Sequence, residues 1–260
     1  IDLLKILKIE TIILDKNSEI RNSRNDIIRL INKAKLQKKI VAIIIKKGTF
    51  KDPTQIEKNR KTKIHRNYEN REKYIDIILN KITEKYFIIS TTGLTSRELY
   101  ASRKKLKYNH GNDFLVIGGM GHANQIATSI ALFSKNKKVI CLDGDGSLIM
   151  HLGSLAICGQ LKLDNFILLV FNNGSHLSVG GQKTAASNFS FKNIAKVIGF
   201  KKTYTVKSTN SFKNLFNKIK IMKSKVFIEV LVNNDFKKDI GRPKEHPKTL
   251  LKQFMDNIQN

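Results

Sequence analysis

The chain has 260 residues, enough to bury one or two full cores. Its 48 Lys and Arg outnumber 21 Asp and Glu, for a formal charge of +27. These bases are scattered through every segment without a DNA- or RNA-binding motif, which disfavours a nucleic-acid partner and favours a Lys-, Asn- and Ile-rich solvated surface; steering of an anionic substrate is compatible with either.

No apolar run reaches the roughly eighteen residues of a bilayer span, and nothing at the start resembles a signal peptide. Cys141 and Cys158 sit apart in apolar segments, the pattern of buried free thiols in a reducing cytoplasm. The six histidines show no metal-protease spacing.

Residues 1–49 read as the end of an α/β unit: a strand with its approach over 6–14, a helix over 25–35 and a buried strand over 39–45. The start at Ile1, inside an ordered pattern, suggests that part of a longer protein precedes it. Residues 50–72 lose apolar periodicity, are dense in charge and contain Pro53, so they are expected to be a linker. From 73 onward, strands and helices alternate. Strands are expected at 86–90, 114–117, 139–142, 166–171, 203–206 and 226–232, and helices at 73–82, 96–106, 123–133, 148–161, 193–198 and 211–222, before a terminal helix with an apolar face. The alternation predicts an α/β fold with a doubly wound, mostly parallel sheet over 73–260, preceded by the tail of a second α/β domain.

Four of these strands end in small or polar residues: T-T-G at 91–93, G-G-M-G at 118–121, G-D-G-S at 144–147 and N-N-G at 172–174. Open α/β sheets bind ligands at such ends. Neither the dinucleotide fingerprint nor a P-loop is present. A hard-cation site remains: Asp145 offers a carboxylate and Asn172 an amide oxygen, on loops after two parallel strands. Gly146 and Ser147 open a helix, where free N–H groups favour an anion. Alone, Gly144–Asp145–Gly146 would read as a tight turn; the matching N-N-G reverses that.

G-D-G, then twenty-five residues, then N-N, resembles the cofactor motif of the thiamine-diphosphate enzymes. The resemblance implies Mg²⁺ held by Asp145, Asn172 and the carbonyl of Gly174. It implies diphosphate contacts from Gly144, Gly146, Ser147, Thr92 and Gly93, and a grip on the aminopyrimidine by Gly118 and Met120. G-G-M-G-H-A, V-I-C-L-D-G-D-G, N-N-G-S-H-L-S-V-G-G-Q and the tail G-R-P…F-M look like the phosphonopyruvate decarboxylases, with the sulfopyruvate decarboxylases close behind; K-K-G-T-F at 46–50 looks like the end of their pyrimidine-binding domain. Implied are decarboxylation of a 3-substituted pyruvate, a shared active site in a homo-oligomer, and an activating Glu on a pyrimidine-binding domain outside these residues. His176 is the catalytic candidate of this chain. His122, Gly180, Gly181, Gln182 and Arg242 are weaker candidates for substrate contacts, and Asp143 reads as structural.

Overall fold

A computed structural model of the chain describes residues 1–50, 67–134, 136–237 and 239–259. The chain divides into two compact units, Ile1–Lys61 and Thr62–Asn260. In the first, α1 (Asp2–Ile6) leads to β1 (Glu10–Leu14), α2 (Ile20–Gln37) and β2 (Val41–Ile45). The two strands pair in parallel, Glu10 opposite Val41 through Leu14 opposite Ile45. Most of the expected linker lies outside the described residues. At its end the Glu69 carbonyl accepts the Asn233 N–H at 3.1 Å, and Arg71 and Glu72 already form the first turn of α3 (Arg71–Leu79).

The second unit continues with β3 (Tyr86–Ser90), α4 (Leu94–Lys105), β4 (Asp113–Leu115), α5 (Ala123–Phe133), β5 (Lys138–Gly144), α6 (Asp145–Met150), α7 (Ser154–Gln160) and β6 (Phe166–Asn172). A hairpin of β7 (Ser175–His176) and β8 (Gln182–Lys183) follows, then α8 (Phe191–Ile198), β9 (Lys202–Val206), α9 (Thr209–Ile219), β10 (Val226–Leu231) and α10 (Pro247–Gln259). Six strands form one parallel sheet in the order β4-β3-β5-β6-β10-β9. Among the described residues no helix is long and apolar enough to cross a membrane.

Side chains alternate across each strand, so continuous apolar runs feed two cores. Ile88, Ile140, Leu142, Ile167 and Leu169 meet Tyr74, Ile78, Leu99, Phe212 and Phe216 on one face. Phe87, Cys141, Phe166, Leu168 and Val170 meet Ala127, Leu155, Phe191 and Phe254 on the other. β6 is buried along its whole length, as expected of a strand covered on both faces.

Part of the lysine excess serves this architecture. The Lys225 ammonium donates to the carbonyls of Cys158, Gly159 and Leu161 at 2.6, 2.6 and 2.9 Å, satisfying the orphan acceptors at the end of α7. Lys138 reaches the Met222 carbonyl at 2.5 Å, just after α9. Burial pushes both amines down.

Three expectations shift. The helix expected over 148–161 is two helices, α6 and α7, parted at 151–153 where Gly153 takes the N-cap position. β5 runs into α6 without a loop, so Asp145 is the first residue of a helix and not a loop residue. The strand expected over 114–117 is Asp113–Leu115, with Asp113 opposite Ile88 and Ile117 exposed.

That shift follows from a buried ion pair. Arg103 Nε and Nη2 donate to the two Asp113 carboxylate oxygens at 2.8 and 2.6 Å. Arg71 grips Glu98 in the same two-pronged way. Both clamps hold α4, whose first turn follows the T-T-G loop. Removing one partner of such a pair leaves the other charge buried and costs about 3–5 kcal/mol. Arg103→Met is therefore expected to lower unfolding stability by about that amount in urea titrations, and adding Asp113→Leu is expected to recover part of the loss.

Candidate functional site

The strand order reverses at β3: β4 lies on one side of it and β5 on the other. The C-terminal ends of β3 and β5 therefore flank a topological switch point, where open α/β sheets leave a crevice. On the far side of β5, Gly144 pairs with Phe171 of β6. This register sets the next residues, Asp145 and Asn172, abreast.

Hydrogen bonds stitch the glycine-rich ends together. The Thr91 N–H donates to the Leu142 carbonyl at 2.8 Å, and the Thr91 and Ser147 hydroxyls lie 2.7 Å apart. The Gly121 N–H donates to Ser147 Oγ at 3.0 Å, and the Gly118 N–H to Thr92 Oγ1 at 3.3 Å. Gly93 adopts φ +94°, and a side chain there would press on Ser178. Thr92, Gly93, Gly118, Gly144, Asp145, Gly146, Ser147, Asn172 and Gly174 are thus drawn to one end of the sheet. Met120 is half-buried in the loop ahead of α5.

Asp145 is 2 % exposed at the start of α6. Burial raises its carboxyl above the usual range, while the Thr184 hydroxyl, the backbone of Gly146 and the nearby His176 oppose the rise. The Thr184 hydroxyl donates to Asp145 Oδ2 at 2.5 Å, and the Thr184 N–H donates to the Gly174 carbonyl at 3.0 Å. Gly174 has φ +65°, a conformation that favours glycine, and its N–H donates to Asn172 Oδ1 at 3.1 Å. The Asn172 amide donates to Glu229 Oε1 on β10 at 2.9 Å; because a carboxylate only accepts, this bond fixes which end of the amide is oxygen.

The donor set suits a hard cation. Asp145 supplies a buried carboxylate to which no Lys or Arg among the described residues is bonded, while Asn172 and Gly174 each supply an oxygen with a lone pair to spare. Among the described residues no three His, Cys, Asp or Glu side chains group as a ready metal cluster, so amide and backbone oxygens would be needed.

His176 is half-buried in β7, against α6: a methyl at Gly146 would fall 2.5 Å from its Cε1 and 2.6 Å from Nδ1. Gly180 and Gly181, both at positive φ, make the turn of the β7–β8 hairpin, whose Gln182 is exposed. His122 is exposed ahead of α5, its ring centroid 4.6 Å from that of His151, a histidine without an expected role. Arg242 is exposed in the tail.

Two residues of the site were missed. Glu229 had a legible signal, a lone acid inside the apolar strand V-F-I-E-V-L. Thr184 had none, because a two-residue antiparallel pairing leaves no periodicity.

Gly146→Ala tests the contact with His176. An exposed helix position gains about 1 kcal/mol from this change. Here the methyl meets the ring, so stability is expected to fall by about 1–3 kcal/mol. His176→Ala in the same chain is expected to relieve most of that loss in a double-mutant cycle read by thermal unfolding.

Residues 91–230 match the family described as thiamine pyrophosphate enzyme, C-terminal TPP binding domain. Sulfopyruvate decarboxylase subunit beta of Methanocaldococcus jannaschii is 34% identical over 195 residues, 74% of this chain and 98% of that subunit. Phosphonopyruvate decarboxylase of Streptomyces viridochromogenes is 28% identical over 180 residues, 69% of this chain but 44% of that protein. In fold, the chain is similar to benzoylformate decarboxylase of Polynucleobacter necessarius, with TM-score 0.54 and 16% identity over 75% of this chain and 36% of the other.

Proposed function

The chain belongs to the thiamine pyrophosphate enzymes through their C-terminal, cofactor-binding domain, and from that premise we propose that it is the cofactor-holding part of a decarboxylase acting on a pyruvate that carries a strong acid at C3. The observation that carries the site reading is the register that brings Asp145 abreast of Asn172 at the switch-point end of the sheet. Asp145, Asn172 and the Gly174 carbonyl would hold Mg²⁺, with Thr184 and Glu229 orienting them. Gly144, Gly146, Ser147, Thr92 and Gly93 would face the diphosphate. The Ser147 hydroxyl is already engaged by Thr91 and Gly121, which leaves the N–H groups opening α6 for the anion. Gly118 and Met120 would face the pyrimidine.

Bound thiamine diphosphate supplies a carbon nucleophile and an electron sink for loss of the carboxylate. The chain's residues bind and orient. The two buried cores behind the site keep water from its floor. His176, set over Gly146, would hold or pass a proton at the imidazole. The overall change converts the oxo acid and one proton into carbon dioxide and an aldehyde; phosphonopyruvate would give phosphonoacetaldehyde.

Phosphonopyruvate is the substrate expected from the sequence motifs. Sulfopyruvate is the second reading, favoured by the higher identity to the Methanocaldococcus subunit along 98% of its length. Each is a 2-oxo acid with a second strong acid at C3, and relative turnover of the two decides between them. Residues 1–49 as the end of a pyrimidine-binding domain, and a homo-oligomer or partner subunit that supplies the activating Glu, belong to the same proposal.

Asp145→Ala tests the cofactor assignment. Mg²⁺-dependent binding of thiamine diphosphate, measured by calorimetry on the full chain, is expected to fall at least a hundredfold, on the order of 3 kcal/mol. Unchanged affinity would remove Asp145 from the site.

A further inference from the structure

Asp143 lies in β5, two residues before Asp145, and is fully buried. Lone acids do not remain in apolar strands without a partner of some kind. Among the described residues no Lys or Arg bonds to it. One oxygen, Oδ1, accepts the Gly144 N–H at 2.9 Å. The other, Oδ2, is buried and has no hydrogen-bond partner among the described residues.

The surroundings hold one proton too many for their own acceptors. Thr91 Oγ1 and Ser147 Oγ are 2.7 Å apart, and either can donate to the other. Ser147 Oγ also receives the Gly121 N–H. Two hydroxyls carry two protons, and their mutual bond uses one. The second has no other acceptor among the bonds of either hydroxyl, whereas the buried Oδ2 of Asp143 is an acceptor in want of a donor. The pairing of Ser90 with Leu142 sets the next residues, Thr91 and Asp143, abreast, and the Thr91 N–H is fixed on the Leu142 carbonyl at 2.8 Å.

We infer that Asp143 is a positioning residue: its free oxygen takes the leftover hydroxyl proton and so orders the Thr91–Ser147–Gly121 chain that binds three glycine-rich ends into one cradle. Thr91 belongs to the T-T-G loop after β3, Ser147 to the first turn of α6, and Gly121 to the G-G-M-G loop before α5. A carboxylate suits the post because it only accepts. It directs both hydroxyl protons one way and leaves a lone pair on Ser147 for Gly121. An amide in its place keeps one acceptor oxygen for two donors, the Gly144 N–H and the leftover hydroxyl proton, so one of them would stay buried without a partner. Asp143 touches neither substrate nor cofactor in this role; it acts through the loops. The inference rests on the proposed cofactor site for its consequence, but the hydroxyl chain itself is a property of the chain alone.

The test is Asp143→Asn in the full chain, with two readouts. Without ligand, the Gly121 amide is expected to exchange with deuterium at least tenfold faster, while far-UV circular dichroism stays as in the wild type. With Mg²⁺, thiamine diphosphate affinity is expected to fall about tenfold. Ser147→Ala should change both readouts in the same direction, and Asp143→Asn added to it should change neither by more than about twofold further, since both cut one chain. Gly121 exchange within twofold of wild type in both Asp143→Asn and Asp143→Ala overturns the inference, as does full additivity of Asp143→Asn and Ser147→Ala. If Asp143→Asn does not fold, Ser147→Ala carries the test: affinity and Gly121 exchange both within twofold of wild type overturn the inference. A wild-type chain that binds no thiamine diphosphate even together with its proposed pyrimidine-binding partner would defeat the proposed function, while the exchange readout would still decide the role of Asp143.

Discussion

The register of β5 on β6 is the constraint on which the rest depends. Gly144 opposite Phe171 places the first residue of α6 beside the last residue of β6. A slip of one residue would turn every side chain of the strand to the opposite face, moving Ile140 and Leu142 out of one core and Cys141 out of the other. Packing on both faces therefore determines where the chemistry sits. The oxygen atoms at the strand ends inherit their placement from apolar residues several positions earlier.

From that register outward, short polar links complete the arrangement. β3 brings Thr91 and Thr92 to the other side of β5, and their hydroxyls reach Ser147 and the Gly118 N–H. The β7–β8 hairpin folds back so that Thr184 touches Asp145 and Gly174 at once. Glu229 comes from β10, the neighbour of β6, and holds the Asn172 amide. Each link crosses between elements far apart in sequence, so the cradle exists only when the whole sheet is assembled. The clamps of Arg71 on Glu98 and Arg103 on Asp113 set α4 beneath the T-T-G loop, tying local loop geometry to global stability. The charge excess has a second use at the opposite end of the sheet, where Lys225 and Lys138 meet helix C-termini.

Sequence reading worked best where one physical pattern dominates. Tyr86–Ser90 and Ala123–Phe133 lie where apolar runs and periodicity place them. It failed where two forces compete. Leu148 through Leu161 carries helical spacing, yet Gly153 and the turn at His151 divide it, because closing β5 onto the site requires α6 to start at once and stop short. Asp113 falls just outside the expected strand, and its place within β4 follows from Arg103 neutralising it inside the core. Glu229 stands out as an acid in an apolar strand, but its partner Asn172 is 57 residues away.

The α/β alternation, the parallel sheet and the family to which the chain belongs were determined by the sequence alone, because strand and helix periods and the G-D-G…N-N spacing are local and survive without knowledge of contacts. Which side of β5 receives β3, which hydroxyl meets which amide, and which threonine reaches Asp145 were decided only by the tertiary structure. Those pairings depend on strand order and register, which are set by burying two faces of one sheet together and are written in no single stretch of the chain.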